Sequence, residues 1–150
     1  MMLSLASKGD PMTVFKTLIV EDSIFFRQFL KETLNAEFPN IEISEAVDGE
    51  EALQKVQTLL PHLVFMDIRL PGESGLEITR KIKSQNPDIS VIILTSYDLP
   101  EYREAAKQYQ ADHFLSKGTT TKEDILALVK SILTKQNMDL NGHDPREPYS

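Results

Sequence analysis

Short apolar runs alternate along the chain with amphipathic stretches of helical period. The runs are Thr17–Val20, Ile41–Ala46, Leu63–Met66, Val91–Leu94 and His113–Leu115. Each is short, and several are rich in β-branched or aromatic side chains, which predicts strands covered on one or both faces. Between them, residues 23–37 set Phe26, Leu30 and Leu34 on one side of a helix. Residues 50–59 place Leu53, Val56 and, just beyond, Leu60 at similar spacing. Further helices are expected over 76–84 and 99–109. A last one is expected to open at Thr120 with Glu123 as its capping-box partner, and to bury Ile125, Leu128, Val129 and Ile132.

Five strands alternating with five helices predict an α/β fold, a parallel sheet with helices on both faces. Right-handed crossovers leave few topologies. The doubly wound order 2-1-3-4-5 puts strands 1 and 3 side by side at the switch point, and ligands of such folds bind beyond the carboxyl ends of the strands. One domain over residues 15–135 accounts for the pattern, with no internal repeat. Residues 1–14 read as a flexible leader. Residues 136–150, polar and carrying two prolines, read as a disordered tail or linker stub.

Composition narrows the function classes. A chain of 150 residues with 41% hydrophobic and 26% charged residues is in the soluble globular range. A net charge of −7 argues against nucleic-acid binding by the bulk surface. The absence of cysteine excludes disulfides and thiolate metal sites and fits a reducing cytoplasm, the location expected. No apolar run approaches the ~20 residues that span a bilayer, and the N-terminus lacks a signal-peptide pattern. No membrane partner is expected.

The positions just after the apolar runs carry the candidate chemistry. Glu21 and Asp22 follow strand 1, Asp67 follows strand 3, Thr95 and Ser96 follow strand 4, and Lys117 follows strand 5. Three carboxylates on one sheet edge repel one another, and neighbouring charge raises the pKa of at least one. A divalent cation removes the conflict, and all-oxygen ligands favour a hard ion such as Mg²⁺. With that ion, Asp67 can act as a carboxylate nucleophile towards phosphorus. Phosphoryl transfer spreads charge over equatorial oxygens, which the metal, the Lys117 ammonium and the Thr95 hydroxyl would each meet.

The segments LIVEDS (18–23), VFMDIRLPGESG (64–75), VIILTS (91–96) and FLSKG (114–118) together resemble the receiver domains of two-component response regulators. Single motifs of this kind are weak; in this order, on these strand ends, they are specific. The resemblance covers about residues 16–134. It implies the (βα)5 flavodoxin-like sandwich and a phosphorylation-dependent signalling switch, rather than an enzyme with its own turnover. By it, Glu21 and Asp22 hold Mg²⁺, and Asp67 ligates the metal and accepts the phosphoryl group. The backbone carbonyl of Arg69 completes the protein's share of the metal shell, and Thr95 and Lys117 bind the phosphoryl group. Phe114 falls where the family carries an aromatic residue that swings inward with Thr95. Pro71 and Gly75 match the turn after strand 3. Two departures stand out: Gly118 replaces a common proline, and Phe114 lacks the hydroxyl of the frequent tyrosine.

The partners implied are a histidine kinase or phosphotransfer protein as donor, and a read-out through helix 4, strand 5 and helix 5 by a partner or a homodimer. SGLEITRKIK and HFLSKGTTTKEDI resemble receivers that precede helix-turn-helix domains, so DNA is expected only through an output domain absent from this sequence. Other readings fare worse. A haloacid-dehalogenase-type phosphohydrolase wants an aspartate where Arg69 stands. A receiver reduced to a binding module would have lost an acid-pair member, Asp67 or Lys117. A P-loop lacks its pattern. Glu21 and Asp22 alone could be helix-capping acids, and Lys117 a surface or structural lysine. His62, His113 and His143 show no metal-ligand spacing, and Tyr97, Tyr102 and Tyr109 are contact or packing residues around helix 4.

Overall fold

The computed structural model describes residues 14–136. The expected leader and tail lie almost wholly outside the described residues. Elements alternate as β1 (Lys16–Val20), α1 (Ile24–Glu37), β2 (Glu42–Ala46), α2 (Gly49–Leu59) and β3 (Leu63–Met66), then α3 (Gly75–Gln85), β4 (Ser90–Thr95), α4 (Pro100–Gln108), β5 (His113–Ser116) and α5 (Lys122–Lys135). The five strands form one parallel sheet in the order β2-β1-β3-β4-β5, as the alternation predicts.

The unbroken apolar character of the central strands follows from burial on both sides. Ile19, Leu63, Phe65, Ile92 and Leu94 point to the face covered by α1 and α5, where they meet Leu30, Leu34, Ile125 and Val129. Leu18, Val64, Met66, Val91 and Ile93 point to the face covered by α2, α3 and α4, against Val56, Ile78, Ile82 and Ala106. The edge strands are more open: β2 keeps only Ala46 buried, and in β5 only Ser116 is. No helix among the described residues is long and apolar enough to cross a membrane.

Three expectations need correction. The capping box of α5 is Thr121 with Asp124, their reciprocal bonds both 3.0 Å, one residue beyond Thr120 and Glu123. Thr120 is already engaged, its N–H bonded to Ser116 O at 3.0 Å in the turn that leaves β5. Leu60 is 60% exposed because α2 ends at Leu59 and Leu60 takes a left-handed φ of 49° as its C-cap; Ala52 joins Val56 on the buried stripe instead. Leu128 is only half-buried, while Leu133 is fully so.

At the amino end of the sheet, His62 stacks on Phe15 with ring centroids 4.9 Å apart, and its Nδ1 accepts the Lys16 N–H at 3.0 Å. Burial, and secondarily the Lys16 ammonium, hold its pKa below the ordinary histidine value. At the other end, Gly75 begins α3 so close to β3 that a Cβ there would lie 1.8 Å from the Asp67 carbonyl oxygen.

Two outcomes follow. The unfolded chain takes up the His62 proton more readily than the native state. His62 therefore contributes stability that is present above about pH 6.5 and lost as pH falls towards its lower native pKa. Thermal melts between pH 7 and pH 5 should show a shallower pH dependence in His62→Asn, which keeps an acceptor but does not titrate; equal slopes would remove His62 from the account. Gly75→Ala pushes a methyl into main chain and should cost about 2 kcal/mol or more, a drop in Tm of roughly 5 °C or more. Gly118→Ala, whose Cβ would meet only Ser116 Oγ at 3.8 Å, should change Tm little.

Candidate functional site

The strand ladder carries the acids to one edge. Asp67 N–H bonds to Val20 O at 3.1 Å and Glu21 N–H to Ala46 O at 3.0 Å, so the pairing of β3 with β1 and of β1 with β2 runs one residue past the strand ends. Glu21 and Asp67 therefore emerge side by side, and both are nearly shut off from water, at 3% and 7% exposure. Asp22 beside them is exposed. One carboxylate oxygen from each of the three lies within 4.8 Å of the others.

Each buried carboxylate has defined partners. Glu21 Oε2 accepts the Ser23 N–H at 2.9 Å, while Ser23 itself caps α1. Asp67 Oδ1 accepts the Ile68 N–H at 2.8 Å. The remaining oxygens share the Lys117 ammonium, 2.7 Å from Glu21 Oε1 and 3.3 Å from Asp67 Oδ2. Lys117 is thus no free surface lysine. Its place is set by β5 and by its own N–H, which bonds to Thr95 O at 2.8 Å.

Burial raises the Glu21 pKa. The Lys117 and Ser23 donors pull the other way, and the Asp67 charge adds to the rise. The crowding expected from sequence is present, but loss of water outweighs it, since desolvation penalises the charged form directly.

Thr95 closes β4 fully buried, and its Oγ1 accepts the Tyr97 N–H at 3.2 Å, which leaves the hydroxyl proton free to donate. Ser96 is exposed. Arg69 is exposed on the loop after β3, its guanidinium 4.1 Å over the Tyr97 ring. That stack ties the loop after β3 to the loop after β4. Phe114 is half-buried in β5 and, like Tyr102 and Tyr109 of the α4 region, packs against the core on that face of the sheet; the Arg103 guanidinium lies 4.6 Å over its ring. Arg103 in turn pairs with Asp98, Nη2 to Oδ2 at 3.0 Å.

The donor set suits a hard divalent cation. It is all oxygen, and three carboxylates face one ammonium, so the cluster carries uncompensated negative charge. The site also contains residues that local sequence did not flag. Arg27 donates from Nη1 to Glu21 O at 2.8 Å and from Nε to Glu45 Oε1 at 2.8 Å, tying the acid-bearing loop to β2. Phe26 lies with its ring centroid 4.1 Å from Lys117 Nζ. Both sit in the helical period of α1 as ordinary members, and only the fold brings position 117 next to position 26.

Comparison with known proteins places this geometry. The response regulator receiver domain family matches residues 17–130. Response regulator GacA of Pseudomonas protegens is 32% identical over 116 residues, 77% of this chain and 54% of that protein. A protein-glutamate methylesterase/protein-glutamine glutaminase of Pseudoalteromonas atlantica is 35% identical over 134 residues, 82% of this chain and 35% of the relative. The chain thus spans about half or less of these curated relatives. The crystal structure of a CheY-like receiver domain protein from Methanospirillum hungatei superposes with a TM-score of 0.76 at 27% identity, covering 83% of this chain and 97% of that one. With a match of that breadth, the chain belongs to the response regulator receiver domain family.

Proposed function

We propose that this receiver accepts a phosphoryl group on Asp67 and that the modification changes the surface formed by α4, β5 and α5. The observation that carries the reading is the shared ammonium. Lys117, far from both acids in sequence, sits between Glu21 Oε1 and Asp67 Oδ2, where it can neutralise a group attached to Asp67. Glu21, Asp22 and Asp67, with the main-chain carbonyl of Arg69, are the residues that would hold Mg²⁺, which when bound neutralises phosphoryl oxygens.

The chain's own atoms have separable tasks. Asp67 supplies a carboxylate oxygen as the nucleophile, with Oδ1 accepting the Ile68 N–H and Oδ2 the Lys117 ammonium. Its bond to phosphorus forms as the donor's bond to phosphorus breaks and the electron pair leaves with the donor. Lys117 Nζ meets one phosphoryl oxygen, and the Thr95 hydroxyl donates to another. Turning Thr95 towards the phosphoryl group perturbs its bond from Tyr97, hence the loop bearing Asp98, the Asp98–Arg103 pair and the Phe114 ring under Arg103. The output is read by a partner, a second copy or an attached domain. A transcriptional output suits the relatives, one of them, from Mycobacterium tuberculosis, named a probable transcriptional regulatory protein, and a cytoplasmic location fits a sequence without cysteine.

The donor is a protein, a histidine kinase or phosphotransfer domain, and the rim of the site supports that. Phe25 is 86% exposed and Ile24 66% exposed, directly after the acid pair. Large apolar side chains at such exposure beside a charged pocket mark a contact surface.

Intact mass after incubation with a small acyl phosphate should show one phosphoryl adduct that requires Mg²⁺ and is absent from Asp67→Asn. An adduct of equal yield on Asp67→Asn would place the chemistry elsewhere. Phe25→Ser should slow phosphotransfer from the cognate protein donor about tenfold or more, as loss of an apolar anchor does, while the small-donor rate stays within about twofold. Equal slowing with both donors would mean that the substitution disturbs the pocket itself.

A further inference from the structure

Phosphoryl transfer needs the Lys117 ammonium beside Asp67 at the moment the acids turn to a cation; the bond from Lys117 N–H to Thr95 O fixes its main chain, but not the head of its side chain. Gly118 follows it in a turn so loosely packed that a Cβ would find only Ser116 Oγ, 3.8 Å away. Residues 118 and 119 are exposed. A lysine carries a flexible four-carbon stem, and holding its head costs side-chain entropy.

Among the described residues, three groups hold the ammonium: Glu21 Oε1 at 2.7 Å, Asp67 Oδ2 at 3.3 Å and the face of Phe26 at 4.1 Å. The two carboxylates are the groups a divalent cation would claim. A carboxylate drawn to the metal no longer offers its full charge to Lys117. The Phe26 ring competes for no metal, since Mg²⁺ keeps its oxygen shell and parts from water reluctantly. The ring is also fixed. It packs half-buried on the core under α1 and lies 5.6 Å from the Phe29 ring at an angle of 44°. Lys117 is only 15% exposed, so the attraction of its charge to the ring's negative face is little weakened by water.

We infer that Phe26 is a positioning residue for Lys117: its aromatic face holds the ammonium beside Asp67 when Glu21 is engaged by the cation. The inference rests on the reading of Asp67 as phosphoacceptor but concerns a different group, and it takes over the anchoring role that a stiffer residue at 118 would play.

The test has two arms on the full chain. In the first, NMR follows the Lys117 ε-methylene protons, which a ring face shifts upfield. The expected result is an upfield shift in the wild type that survives saturating Mg²⁺, is lost in Phe26→Leu and returns in Phe26→Tyr. In the second, the rate of phosphorylation by acetyl phosphate at saturating Mg²⁺ should fall roughly three- to tenfold in Phe26→Leu and recover in Phe26→Tyr. On a Lys117→Gln background, Phe26→Leu should slow the residual rate no further. A shift that disappears when Mg²⁺ is added overturns the inference, and so does a Phe26→Leu loss of the same size with and without Lys117. A wild type that takes up no phosphoryl group overturns the functional reading instead, and the NMR arm alone then decides the role of Phe26.

Discussion

Two carboxylates almost out of water share one ammonium, and the rest of the structure is arranged so that they can. Burying an unpaired charge costs several kcal/mol even after relaxation. Glu21 and Asp67 are tolerated because each oxygen has a donor: Ser23 N–H and Lys117 for one, Ile68 N–H and Lys117 for the other. Those donors come from the α1 cap, the β3–α3 loop and the end of β5, so the cluster exists only when the strands pair in this register. A slip of one residue in β3 would send Asp67 to the opposite face and Met66 to the edge. The close approach of Gly75 to the Asp67 carbonyl fixes the same point from the helix side.

That dependence explains which features could be read from sequence. The three central strands were legible because burial on both faces leaves runs such as Leu63–Met66, and the half-covered edge strands because their short apolar runs fall between helical periods. The shared edge of Glu21, Asp67, Thr95 and Lys117 was legible because each follows an apolar run, and a carboxylate closing a buried strand, as Asp67 does, is costly unless paired. Other features had no local signal. Thr120 with Glu123 fits the capping pattern along the chain, but the turn bond from Thr120 N–H to Ser116 O engages that residue and the cap falls to Thr121. Leu60 fits the helical period of α2, yet α2 stops one residue earlier. Phe26 reads as one of the apolar residues on the inner side of the first helix. Its contact with Lys117 is tertiary, and no spacing along the chain encodes it, whereas the Arg27 bond to Glu21 O is local to the β1–α1 turn.

Of the parts proposed to change, α4 and β5 are held only lightly by the core, while α5 is anchored by Ile125, Val129, Ile132 and Leu133. Only Ala106 of α4 is buried, and β5 is a half-covered edge strand. The opposite edge is tied by Glu45, which binds both Arg27 and Lys31. Segments with little buried apolar surface open at low cost, so a small bias at Thr95 can be expressed in α4 while the acid-bearing edge stays in place.

A switch needs a ligand that prefers one state, because a group bound equally well by both shifts nothing. In the proposed switch Thr95 would supply the difference. In this structure its oxygen accepts from Tyr97 N–H, which orders the loop after β4, and that loop carries Asp98, the partner of Arg103 over Phe114. A phosphoryl group on Asp67 would give the Thr95 hydroxyl a charged acceptor, and a hydrogen bond to an ionised group is worth more than one between neutral groups. The two arrangements of one buried hydroxyl then correspond to two arrangements of an exposed ion pair and a half-buried ring. Phe114 has no hydroxyl of its own to capture a new partner, so in the proposed switch its position would follow the Arg103 stack and its packing on the core, and the signal would leave the domain as a change of shape.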